Sequence, residues 1–152
     1  LESLKSEIIP FVDKHYNTNS DRGVTGESLG GLFTAYCFIN SDGYFTRFGI
    51  NFPRLEWNND EVLDNGISKF KASDHWDIPA TKVFVSSHEP LISVVGIERV
   101  SNVPTTLKFS ASLENSNYEN IALTQHIFIK EPNRSISSAS ASKILSALYR
   151  KE

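Results

Sequence analysis

The chain has 152 residues, 39% apolar and 22% charged, an ordinary balance for one globular domain with a single modest core. Its formal net charge of -3 is too mild to draw nucleic acid or an anionic membrane as partner, and no apolar run is long enough to span a bilayer. The single cysteine, Cys37, excludes an intrachain disulfide and leaves the compartment, cytoplasm or periplasm, open.

No methionine occurs at position 1 or elsewhere, so the sequence is expected either to begin inside a longer polypeptide or to lack modified methionine residues. Leu1 to Tyr16 has helical periodicity, with Leu4, Ile8, Phe11, Val12 and His15 forming one apolar face. Pro10 removes a ladder donor and is expected to bend or loosen that helix. Asn17 to Asp21 reads as a turn, because its side chains bond their own backbone. Val24 marks a short strand, and a helix follows from about Leu29 to Asn40, closed by Ser41-Asp42-Gly43.

Phe45 to Phe52 is the next strand, ended by Pro53. Leu55 to Asp60 reads as a loop in which Asp60 can cap the following helix. Val62, Leu63, Ile67 and Phe70 are the apolar stripe of that helix, weakened by Gly66. Lys82 to Ser86 is a short strand whose continuous apolar residues predict burial on both faces, as in a parallel sheet. Pro104 suits the first turn of a helix running to about Leu113, with Leu107, Ala111 and Ser110 inward. Ile121 to Lys130 is a strand with Ile121, Leu123, Ile127 and Ile129 on one face. Ser137 to Tyr149 is the last helix, with Ala141, Ile144, Leu145, Leu148 and Tyr149 inward. The alternation predicts an α/β fold with a doubly wound, mostly parallel sheet, residues 1–152 forming a single partial domain.

One stretch carries chemistry. Gly26-Glu27-Ser28-Leu29-Gly30 fits the Gly-x-Ser-x-Gly pattern of a nucleophile elbow, between a polar turn with a short strand and an apolar helix. A serine at the apex of such a bend sits in a strained conformation, and its neighbours two residues away are expected to be glycine because only hydrogen fits there. The Leu29 N–H, at the helix start, then lies where an oxyanion would form. The bland alternative is a glycine-rich turn with no chemistry.

Several segments together resemble the esterase family of α/β-hydrolases, the group containing esterase D and the siderophore esterases. Ile8-Ile9-Pro10-Phe11-Val12 looks like its helix with an internal proline, and Gly26 to Leu32 is close to its nucleophile segment. Leu55-Glu56-Trp57-Asn58-Asn59 is similar to its Leu-Trp-Trp-Asn loop, and Glu131 to Ser135 followed by Ala141 to Tyr149 to its final loop and helix. The similarity corresponds to the second half of the family's domain. It therefore implies an α/β-hydrolase-type sheet whose first strands, and the loop giving the second oxyanion N–H, lie in a missing N-terminal part. It also implies a small-molecule ester substrate and no cofactor. Matched by position, Ser28 is the nucleophile, Glu89 the triad acid, and Asn133 stands where the base histidine is expected. An amide is not basic, so turnover is expected to be impaired, or the protein to be a binding module that keeps only the pocket.

Other candidates have blander readings. Glu89 also reads as a solvated loop acid beside Pro90. Glu27 and Trp57 are candidate substrate-binding residues, with an ordinary half-buried aromatic as the alternative for Trp57. His88 reads as a surface residue that could serve as base only if its loop turned inward, and His126 as a structural one short of the strand end where α/β chemistry sits. His15 and His75 read as surface or packing residues, and Cys37 as a small core residue. The histidines show no metal-ligand spacing, so no metal site is expected.

Overall fold

A computed structural model describes residues 1–89, 101–129 and 133–150, with 133–136 described by backbone alone. The elements alternate: a π-helical turn Leu4–Ile8, α1 Ile9–His15, β1 Gly23–Glu27, α2 Leu29–Asn40, β2 Arg47–Asn51, α3 Trp57–Ala72, β3 Thr81–Glu89, α4 Val103–Glu114, β4 Ile121–Ile129 and α5 Asn133–Tyr149. Every strand pair is parallel and the order is β1-β2-β3-β4. All strands therefore end at the same edge, the edge at which ligands of open α/β sheets bind. Among the described residues no helix is long and apolar enough to cross a membrane.

Two apolar layers sandwich the sheet. Phe48, Ile50, Val83 and Val85 face a cluster built with Phe38 and Ile39 of α2, Leu63 and Phe70 of α3, and Phe109 and Leu113 of α4. On the opposite face Phe84 packs against Ile144 and Leu148 of α5. Each such side chain removed from water stabilises the fold by about 1.5–3 kcal/mol. Gly66 lets α3 and α4 approach, since a Cβ there would lie 2.9 Å from the Phe109 ring.

The helix faces differ from expectation where other residues win the contact. In α4 the buried set is Thr106, Phe109, Ser110 and Leu113, because the Phe109 ring meets Phe70 edge-on at 5.4 Å. Leu107 and Ala111 are turned out. In α5 the inward stripe is Ser140, Ile144 and Leu148, while Ala141 and Leu145 are exposed. Tyr149 is exposed too, with the Arg47 guanidinium 4.6 Å over its ring. Pro10 does disturb its helix, which opens as a π turn, but Ile8 and Phe11 are exposed rather than packed. Phe45 is buried in the core yet precedes β2, so that strand is shorter than its apolar run. On β4 the apolar face splits: Ile121 and Leu123 touch the core, whereas Ile127 and Ile129 are exposed.

Candidate active site

The sharpest feature of the backbone lies between β1 and α2. Ser28 is solvent-exposed and holds φ 59° and ψ -114°. A serine is strained there by about 1–3 kcal/mol, and such strain persists only when surroundings over-determine it. Main-chain bonds supply that constraint. The Ser28 N–H donates to the Asn51 carbonyl at 3.1 Å, and its own carbonyl accepts from Leu32 N at 3.0 Å and Arg54 N at 3.3 Å. Leu29 is the first residue of α2, where N–H groups have no partner inside the helix.

The glycines around the bend have distinct roles. A Cβ on Gly26 would collide with the backbone of Gly30, so the strand and helix touch there with only hydrogen between them. A Cβ on Gly31 would lie 2.5 Å from the Asn51 carbonyl oxygen. Gly30 itself would place a Cβ in open space. The expectation that both motif glycines exclude a side chain is therefore corrected: the close approach is made by Gly26 onto the backbone of Gly30, and the second residue with no room is Gly31.

Asn51, at the end of β2, joins the bend to the rest of the sheet edge. It is 3% exposed. Its Oδ1 accepts from the Ser86 hydroxyl of β3, and its Nδ2 donates to Ser140 Oγ of α5 at 2.9 Å and more weakly to Glu27 at 3.4 Å. Ser137 Oγ donates to the other Glu27 oxygen at 3.1 Å. Glu27 is thus tied to β2 and α5 while remaining exposed. Sequence reasoning missed this network. The available signal was a lone amide inside the apolar run Phe48 to Phe52, where a buried polar group needs partners.

Glu89 is the exposed last residue of β3, three register positions beyond Ser86, which is level with Asn51 and, through it, Glu27. Asn133 opens α5, after β4; its side chain lies outside the described residues. Among the described residues no side chain hydrogen-bonds the Ser28 hydroxyl. Trp57 is 59% exposed, and its N–H donates to the carbonyl of Arg54, the residue whose own N–H meets Ser28. The expected loop after it is a left-handed turn, with Asn58, Asn59 and Asp60 at φ 54°, 55° and 61°. Asparagine and aspartate tolerate that region better than other side chains. Asp60 immediately precedes the right-handed turns of α3, in left-handed rather than extended backbone.

The remaining titratable groups are placed elsewhere. His126 is level with Ser86, its ring 4.4 Å from that of Phe128, and burial with nearby Lys143 lowers its pKa below 6.5. It shares a groove of about 470 Å3 with Phe84, Lys82 and Lys143, on the α5 side. The His88 N–H donates to Asn102 Oδ1 at 3.2 Å. Cys37 is fully buried, which pushes its thiol up to about 11. Among the described residues no group of three or more His, Cys, Asp or Glu side chains is assembled for a metal.

Residues 1–97, from the first helix through β3, match the family named Esterase and described as Putative esterase. The chain belongs to the Esterase family. The matched span holds the Ser28 bend and Glu89 and ends before β4 and α5. The fold of this Esterase-family chain is also that of solved structures. The BES protein from Bacillus cereus superposes with TM-score 0.75 at 22% identity, over 95% of this chain and 53% of that one. The siderophore hydrolases EstA and EstB from Aspergillus nidulans superpose at TM-scores 0.72 and 0.65, with 15% and 11% identity. They cover 94% and 97% of this chain, and 54% and 55% of theirs. The chain thus spans about half the length of the solved structures it matches. No curated protein matches it in sequence.

Proposed function

We propose that this chain carries the nucleophile of a serine hydrolase acting on carboxylic esters. The observation that supports this best is Ser28, an exposed hydroxyl-bearing residue at φ 59° on a strand-to-helix bend at the carboxyl edge of a parallel sheet. In the proposed acylation the Ser28 oxygen adds to the ester carbonyl carbon, the alcohol leaves with the serine's proton, and an acyl-serine remains for water to cleave. The Leu29 N–H is one donor to the oxyanion, and a second N–H comes from a part of the domain outside these residues. Glu89 is the acid that orients a base. Glu27 and Trp57 border a small-molecule ester.

The serine's proton needs an acceptor, and the amide of Asn133 is not one. The expected behaviour is a serine that reacts with strong electrophiles but turns over slowly. A fluorophosphonate probe should label the folded full polypeptide, and Ser28→Ala should remove the label. Absence of label on the folded wild-type protein rejects the reading. Asn133→His should raise hydrolysis of an activated ester on the order of 10²–10⁴-fold, the usual worth of a positioned general base.

Asn133 also favours a second reading, a hydrolase-fold binding module that keeps the pocket without turnover. Robust ester hydrolysis by the unaltered protein would count against that module.

A further inference from the structure

β4 is a border strand. It pairs with β3 through nine consecutive residues, from Thr81↔Ile121 to Glu89↔Ile129, and among the described residues no strand lies on its other side. Such a border presents alternate N–H and C=O groups to solvent and is a template for another strand. Folded proteins guard borders with short strands, charges, proline or bulges. β4 has none of these. Its sequence, Ile-Ala-Leu-Thr-Gln-His-Ile-Phe-Ile, lacks Lys, Arg, Asp, Glu, Pro and Gly, and its register with β3 is unbroken. Ile127 and Ile129 are 38% and 60% exposed, and Ala122, Thr124 and Gln125 are exposed as well.

The strand is complementary to itself. Turned end for end about Gln125, it sets Ile121 opposite Ile129, Leu123 opposite Ile127, and Gln125 opposite its own copy. These odd-numbered residues share one face, the face on which Ile121 and Leu123 touch the core. The exposed isoleucines of one copy would therefore cover the half-buried apolar residues of the other, at both ends of the seam. Apolar pairs facing each other across antiparallel strands are favourable, and the strand brings no like charges together. Lys82 and Lys143 line the groove on the α5 side, away from this face.

We propose that β4 is the seam of a two-fold homodimer in which two copies join their sheets, antiparallel, into one continuous sheet. A two-fold axis normal to the sheet keeps like faces together and closes the assembly at two copies. The proposal does not depend on the hydrolase reading.

Two variants of the full polypeptide test it. Sedimentation velocity should give a dimer for the wild type. Gln125→Lys puts two ammonium groups face to face at the axis and should give a monomer with unchanged circular dichroism. Gln125→Cys sets two thiols opposite each other. Facing Cα atoms in an antiparallel pair are about 4.5–5.5 Å apart, inside the span a disulfide bridges. Mild oxidation should then convert this variant to a covalent dimer while the wild type, whose Cys37 is buried, stays uncrosslinked. A monomeric wild type, a Gln125→Lys dimer as tight as wild type, or no crosslink in Gln125→Cys overturns the proposal.

Discussion

The two glycines flanking Ser28 in the motif are chemically identical and physically different. Gly26 has the backbone of Gly30 where its Cβ would be, and both sides of that contact are main chain that cannot rotate away. Gly26→Ala should therefore destabilise by roughly 1–3 kcal/mol through overpacking, and should disturb the Ser28 dihedrals on which the proposed nucleophile's reactivity would rest. Gly30 lies in the first turn of α2 with open space beside it. Gly30→Ala should be neutral or stabilising by up to about 1 kcal/mol, since alanine is the better helix former. Chemical denaturation of both variants, with fluorophosphonate labelling as the functional readout, checks the contrast. Equal losses in the two would mean the bend is not held by that contact. The motif's letters disclosed the bend but not which glycine was needed for it. Spacing names positions, whereas a steric requirement depends on what chain passes nearby, and Gly31 is constrained by Asn51, twenty positions on.

Strands and helices meet at Asn51 in a way that periodicity does not encode. Its main chain holds Ser28, while its side chain gathers the Ser86 hydroxyl from β3, Ser140 from α5 and Glu27 from β1. Asn51→Leu replaces the amide with a somewhat larger apolar group and strands the buried Ser86 hydroxyl, while Ser140 loses the amide but keeps its bond to the Ser137 carbonyl. The expected loss is about 1–3 kcal/mol, with α5 loosened first. Urea unfolding gives the loss, and faster hydrogen exchange in α5 than in α2 gives its location. Undiminished α5 protection would assign the network no part in docking that helix. Sequence reasoning placed every one of these strands and helices in order, because alternating apolar runs and turn residues are local signals. It placed Ser110, Ile144 and Leu148 inward correctly but also turned in Leu107 and Ala111 of α4 and Ala141, Leu145 and Tyr149 of α5, since which residues pack inward is decided by partners such as Phe70 and Phe84 far along the chain. Ser140 was invisible for the same reason: a serine reads as polar until a buried amide waits for it.

For the whole molecule, the groups that titrate below neutral pH and feel the fold, His126, Asp13 and Asp21, all favour their deprotonated forms, so over the acid range stability and acidity are coupled with one sign. His126 is held below its ordinary 6.5 by burial and by Lys143, the charged group facing it from α5. The unfolded chain therefore takes up that proton first, and stability should decline as pH falls from about 6.5 toward the lowered folded value. Asp13, bonded by Thr18 and Arg22, and Asp21, bonded by Arg47, are held below their ordinary 3.8. Their contribution is complete above that value and is lost as pH falls through the folded-state values. Both carboxylates sit near solvent, so the acid step should be shallow and weakened by salt. Melting temperature followed from pH 8 to pH 2 should thus fall in two stages. His126→Gln should flatten the upper stage and leave the lower one. Asp21→Asn should shrink the lower stage and also lower the plateau at neutral pH, because it removes the carboxylate that ties Arg47, the first residue of β2, to the segment before β1 while Arg47 also donates to the Leu148 carbonyl near the end of α5. A single-stage profile unchanged by His126→Gln would show that His126 has the same affinity for protons folded and unfolded.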